Sequence, residues 1–290
     1  MKRLLTLLGD YPLTSALKQG EIVSDTVELD FADYRPTNTG FKPMVREGRF
    51  DVSEMAIVTY LIAKAHQKPM VLLPAVVMGR FQHDYALYNR SKGMLTPADL
   101  NGKRVGVRSF TTTTAAWVRG ILANDYAVDL DSIRWITFEE PHVAEYVDTS
   151  ERAPAGKKIV DMLLAGELDA VLGERSDDPR LATLFAEPVA EAKAWYDRNA
   201  IVPINHVVVV GEKFAKESPD QVREVFRMLK ASKAKGTAPD KGTIDFCPFG
   251  LEALRRPLEA IIRYAAQQGL IPRAYAVDEL FDDTTRRLEL

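Results

Sequence analysis

The chain has one cysteine, Cys247, and only four histidines among its 290 residues. A single thiol excludes an internal disulfide and a cysteine-rich metal site. Set in Phe246-Cys247-Pro248-Phe249, it reads as a small buried hydrophobe, not a nucleophile. Charge of one sign is lacking too. Lys and Arg total 38 against 41 Asp and Glu, a formal net charge of −3, which leaves no electrostatic footprint for nucleic acid. No apolar run approaches the roughly 18 residues of a membrane span. The first such run, Leu4-Leu5-Thr6-Leu7-Leu8, is cut off by Gly9-Asp10-Tyr11-Pro12. That is short of the roughly 7–15 apolar residues of a secretory signal, so the expected location is cytoplasmic. Also missing are the phosphate-cradling P-loop, a Gly-x-Gly-x-x-Gly turn after a strand, His-Glu-x-x-His and Gly-x-Ser-x-Gly. Gly102 and Gly106 are too sparse to cradle a dinucleotide.

What is present is a regular alternation of short apolar runs with helix-spaced segments, the pattern of parallel βαβ units. Strands are expected over 4–8, 26–31, 52–57 and 71–77, with helices over 13–19, 40–47 and 59–66 between them. A second series follows, with strands over 86–88, 105–107, 133–138 and 170–172 and helices over 111–126 and 158–165. The unbroken run Val207-Val208-Val209-Val210 has no solvated face and predicts a strand buried on both sides. Ser218 before Pro219 is a sound helix start, and Gly269 closes a helix over 254–268. The polar stretch 232–245 is expected to be an exposed loop.

One anion-binding feature follows from the residues alone. A strand ends at Arg108-Ser109-Phe110 and a helix begins in Thr111-Thr112-Thr113-Thr114. Backbone N–H groups, hydroxyls and the positive end of the helix dipole would face one place there. Simple N-capping by a single threonine is the plain alternative.

Several segments in order carry a family likeness. They are Phe50-Asp51-Val52-Ser53-Glu54-Met55, Gly79-Arg80-Phe81-Gln82-His83, the run from Leu95 to Val107, and Trp117-Val118-Arg119-Gly120-Ile121-Leu122. Asp161-Met162-Leu163-Leu164-Ala165-Gly166-Glu167-Leu168-Asp169-Ala170, Pro203-Ile204-Asn205-His206 and Gln268-Gly269-Leu270-Ile271-Pro272-Arg273 complete the set. In this order the chain resembles the 4,5-dihydroxyphthalate decarboxylase family over roughly residues 1 to 285. Gln82 stands where that family has a second basic residue, and 173–180 lacks its Arg-Pro-Pro.

The resemblance implies an α/β, two-lobed type 2 periplasmic-binding-protein-like fold with a central cleft and two hinge crossings. Lobe 1 would take 1–87 and 205–290, and lobe 2 would take 88–204. It further implies a decarboxylase of a hydroxylated aromatic carboxylate, serving aromatic-compound breakdown without a cofactor. A small anionic aromatic ligand is the expected partner, with neither nucleic acid nor membrane, and a homo-oligomer is compatible with the sequence. The same fold also serves solute-binding proteins of ABC transporters, which predict ligand capture without turnover, and cytosolic enzymes of menaquinone and thiamine-precursor synthesis.

Within such a fold His83 and His206 are the candidates for proton handling, since imidazole titrates near neutrality. Two structural histidines near a hinge are the plain alternative. Glu54 is the candidate for a phenol base or an orienter of a histidine, or else a helix-terminal charge. Ser53, Arg80, Arg108, Ser109, Thr111, Thr112, Thr113, Thr114, Arg119 and Glu174 are the candidate ligand contacts, with arginine suited to bidentate carboxylate binding. No metal is called for by the spacing, although His83, His206 and Glu54 would suit a divalent ion. His66 reads as a solvated helix end, His142 as a loop residue, and Trp195 as core.

Overall fold

The computed structural model describes residues 1–236 and 243–288. Along them the strands are β1 (Lys2–Leu7), β2 (Val27–Phe31), β3 (Val52–Ala56), β4 (Met70–Gly79), β5 (Ala86–Asn89) and β6 (Arg104–Val107). They continue as β7 (Arg134–Thr137), β8 (Glu151–Arg152), β9 (Ala170–Leu172), β10 (Leu181–Thr183) and β11 (Ile204–Gly211). The helices are α1 (Pro12–Lys18), α2 (Phe41–Glu47), α3 (Ile57–Ala65), α4 (Thr113–Asp125) and α5 (Ile159–Ala165), followed by α6 (Pro188–Asn199), α7 (Glu212–Glu217), α8 (Pro219–Gly236) and α9 (Leu251–Gln267).

The chain divides into two compact units. The first comprises Met1–Arg80, Ile204–Glu259 and Tyr275–Leu290, and the second Phe81–Pro203 and Ala260–Ala274. The expected division gave all of 205–290 to the first lobe. Residues 260–274 instead pack with the second unit, where the Tyr264 ring meets Trp117 edge-on and Gln268 bonds to Ala116 and Arg119. Gly120 permits that packing: a β-carbon there would lie 2.0 Å from Tyr264 Cδ2.

The first unit is built on a sheet ordered β2-β1-β3-β11-β4. β1 pairs in parallel with β2 and β3, whereas β11 runs antiparallel to both of its neighbours, β3 and β4. Val207 to Val210 are therefore flanked by strands on both edges and fully buried, which is why this run carries no polar residue. Pro74 is tolerated in β4 because the β4–β11 register shifts there, Val207 facing Val76 and Val208 facing Leu73, so its missing N–H breaks no regular ladder pair. On one face of the sheet Val52, Leu73, Val208 and Val210 pack with Leu13 and Leu17 of α1 and Val222, Val225 and Phe226 of α8.

The stretch expected to be a loop from 232 is helical up to Gly236. Ser232 is buried, donating to Leu13 O at 2.7 Å and accepting from Leu17 N at 3.0 Å. Contact with α1 thus extends α8 through a polar sequence. The rest of that expectation, over 237–242, lies outside the described residues.

The second unit has a sheet ordered β10-β5-β9-β6-β7-β8. β9, β6, β7 and β8 run parallel in succession, and β5 is antiparallel to β9 and β10. Its core joins Leu87, Ile136, Leu163, Leu168 and Val171. Trp195 is buried there, as expected, with its indole N–H on Asp125. No helix among the described residues is long and apolar enough to cross a membrane.

Candidate active site

In the first unit, β3 and β11 bring a glutamate and a histidine together. His206 sits opposite Ala56, and Glu54 opposite Val208. Alternation along a strand puts Glu54, Ala56, His206 and Val208 on one face, so Glu54 and His206 are diagonal neighbours across the pair. Their side chains meet: His206 Nδ1 lies 2.6 Å from Glu54 Oε1. The Tyr11 hydroxyl donates to the same oxygen at 2.6 Å, and the Gly9 amide donates to Oε2 at 2.7 Å. Both donors come from the turn between β1 and α1, at the carboxyl end of the strand beside β3, where open α/β sheets place their sites.

Glu54 is fully buried. Burial alone would raise its pKa, but the hydrogen bond and charge of His206, with the bonds from Tyr11 and Gly9, outweigh that penalty and hold it below the usual carboxylate value. Tyr11 is driven the other way, upward, by burial and then by the Glu54 charge, with Arg80 opposing. An ionised Glu54 only accepts, so Nδ1 of His206 carries a proton and Nε2 is left as the ring's acid–base position. The ring is fixed further by the edge of Phe41, with centroids 5.2 Å apart. This arrangement matches one alternative for Glu54, the orienter of a histidine. A helix-terminal charge is excluded, because Glu54 lies within β3.

Ser53 does not join this cluster. It points to the opposite face of β3, where its hydroxyl bonds to Glu54 O at 2.7 Å. Arg80, just past β4, places one guanidinium nitrogen 2.8 Å from Met78 Sδ, and its charge reaches Tyr11.

In the second unit the strand-to-helix turn is ordered by its own hydroxyls. Ser109 Oγ and Thr111 Oγ1 are 3.0 Å apart and both residues are buried. Thr112 is the N-cap of α4, yet its hydroxyl turns back to Ser109 O at 3.0 Å and caps nothing. Capping by a threonine hydroxyl at this position is therefore not what the run provides. Thr113 and Thr114 form the first turn. Gly173, in a left-handed conformation at φ +96°, lets β9 end close to this turn, with its absent β-carbon 4.0 Å from Ala115 N. Glu174 follows, its carboxyl raised chiefly by burial and lowered in part by Arg108. Arg108 is itself half-exposed and pairs with Glu139 at 3.6 Å.

His83 lies in a short turn of the second unit, buried against the rings of Phe185 at 4.8 Å and Trp195 at 6.4 Å. Its Nδ1 is buried without a hydrogen bond, and burial lowers its pKa. Arg119 is fully buried on the second turn of α4, stacked 3.8 Å above Phe110. The described residues contain no cluster of three His, Cys, Asp or Glu side chains with metal-binding geometry. His66 is exposed at the end of α3.

The sequence reading missed Tyr11 and Gly9. The signal was present, since both stand just beyond a strand's carboxyl end in the turn that ends β1.

No family model matches the chain. It is 27% identical to the 4,5-dihydroxyphthalate decarboxylase of Comamonas testosteroni over 97% of this chain and 93% of that protein. With the enzyme of the same name from Pseudomonas putida it shares 28% identity, over 65% and 79% of the two chains. Among solved structures it is similar to the alkanesulfonate-binding protein SsuA of Xanthomonas axonopodis pv. citri bound to MOPS, with a TM-score of 0.60 at 14% identity, covering 97% and 98%. The desulfurization enzyme DSZB gives 0.56 at 14%, covering 98% of each. The fold is that of type 2 periplasmic binding proteins, and these neighbours include both a binding protein and an enzyme.

Proposed function

We propose that this chain, a relative of the 4,5-dihydroxyphthalate decarboxylases, is a cytoplasmic carboxy-lyase acting on a hydroxylated aromatic carboxylate such as 4,5-dihydroxyphthalate. The observation that carries the proposal beyond likeness is the Glu54–His206 pair, a proton-transfer unit in a relative of enzymes whose reaction is a proton-for-carboxyl exchange.

The chemistry needs few parts. A ring carbon accepts a proton where it bears the carboxylate, with electron density supplied by a phenolate oxygen. The bond to the carboxyl carbon then breaks, its electron pair returns to the ring, and carbon dioxide leaves. Atoms and charge balance without an oxidant. In this reading His206 Nε2 passes the proton, while Glu54 holds the ring orientation and stabilises the imidazolium form. Tyr11 keeps Glu54 ionised by donating to it. Arg80 is assigned to a carboxylate in the first unit. In the second unit the start of α4, with Arg108, Ser109, Thr111 and the first-turn amides, is assigned to an anionic group. His83, whose imidazolium form burial disfavours, is assigned to proton transfer in its neutral form.

Incubation with 4,5-dihydroxyphthalate, followed by chromatography, tests the reading. Loss of substrate with matching formation of 3,4-dihydroxybenzoate is expected. The SsuA likeness favours a second reading, a solute-binding protein. Saturable binding without turnover would transfer the assignment to it.

A further inference from the structure

The second unit contains a cavity of about 640 Å³ whose lining includes Phe110, Arg119, Trp135, Tyr146, Asp148 and Gln268. Of the residues around Glu54 and in the Ser109–Thr114 turn only Phe110 lines it, and two of its polar residues stand out. Arg119 is fully buried, and two of its three nitrogens are used: Nε donates to Gln268 Oε1 at 2.7 Å and Nη2 to Phe110 O at 2.6 Å. The third, Nη1, is buried and makes no hydrogen bond. Asp148 is split in the same way. Its Oδ1 accepts from the Ser150 amide and hydroxyl, whereas Oδ2 is buried and bare.

Arg119 and Asp148 thus line one cavity, and each keeps one buried polar atom without a hydrogen bond. A buried polar group left unmet keeps its full desolvation cost. The charges are complementary to a molecule that carries both signs. Burial pulls the Arg119 pKa down to about 9, with the charges of Tyr146 and Asp148 opposing. The lining also includes three apolar groups, Leu130, Ile133 and the ring of Trp135.

We propose that this cavity is a binding site for a small zwitterion of the α-amino-acid class with an apolar side chain, its carboxylate on Arg119 Nη1 and its ammonium on Asp148 Oδ2. The site is separate from the decarboxylase reading and does not depend on it. A carboxylate alone would satisfy Arg119 and leave Asp148 bare. An amine alone would do the reverse.

Isothermal titration of the full chain with L-phenylalanine and L-leucine tests this, with 3-phenylpropionate and phenethylamine as probes lacking one charge each. The expected result is saturable binding of at least one amino acid, at least about tenfold tighter than either single-charge probe. Asp148→Asn keeps Oδ1 and its two bonds from Ser150. In that variant amino-acid affinity should fall at least about tenfold, with the melting temperature unchanged. The proposal is overturned if neither amino acid saturates the protein by about 10 mM, if the single-charge probes bind as well, or if D148N binds as wild type, in which case water alone fills the cavity.

Discussion

His206 Nδ1 and Glu54 Oε1 stand 2.6 Å apart on adjacent antiparallel strands, although 152 positions separate the two residues along the chain. The carboxylate is fully buried, and the imidazole side chain keeps 16% of its surface exposed. One partner is thereby fixed in the protein interior, while the other retains access to a reacting molecule.

Glu54→Gln should leave substrate affinity close to wild type and lower kcat by about a hundredfold or more, because an amide cannot stabilise the imidazolium. Steady-state kinetics separate this from a loss of binding, which would raise KM instead. The same variant bears on stability. Glu54 has a folded pKa below its unfolded value, so the folded state binds fewer protons than the unfolded chain as pH falls through the carboxylate range. Its contribution is present above the unfolded value of about 4.5 and is lost as pH falls through the folded one. Urea denaturation between pH 7 and pH 4 should show a shallower decline for E54Q.

His206→Ala should lower turnover by about 10²- to 10⁴-fold. His83→Asn provides the contrast. Burial lowers the His83 pKa below the ordinary imidazole value of about 6.5. The unfolded chain therefore takes up a proton near that pH while the folded one resists, and wild-type stability falls as pH drops through about 6.5. In the variant this part of the pH dependence should vanish. An unchanged slope in urea titrations would contradict the neutral, buried state of the ring.

Gly120→Ala should destabilise the protein by about 1–3 kcal/mol. An alanine inside a helix ordinarily gains about 0.5–1 kcal/mol over glycine, but here its β-carbon would meet Tyr264 Cδ2 at 2.0 Å. Denaturant melts give the sign directly, and a stabilised variant would mean that 260–274 can move away from α4.

Ser232→Ala should cost about 1–3 kcal/mol. Its hydroxyl accepts from Leu17 N and donates to Leu13 O, and so ties α8 to two successive turns of α1. Ser232→Thr keeps the hydroxyl and should recover part of the stability lost in Ser232→Ala, which urea melts of both variants would resolve.

How far the sequence reached is clearest from these same residues. Local physics made the strands legible. Apolar runs of fixed length, punctuated by Gly and Pro, have few ways to be buried, and four consecutive valines have only one. The turn at Ser109–Thr114 was legible for the same reason, since a strand ending in hydroxyl residues before a helix is a local pattern. The polar run from 232 misled because its helical form depends on a contact with α1, more than 200 residues away.

The sequence by itself determined the α/β pattern, the buried valine strand and the short roll of titratable residues from which any chemistry must be drawn. Only the tertiary structure decided their roles. It set Glu54 against His206 and turned Ser53 to the other face, because strand pairing fixes register and a register of one residue reverses every side chain. It also buried Arg119 between Phe110 and Gln268, which the helical period of α4 alone left open, since burial of a charge depends on what the rest of the chain brings to it.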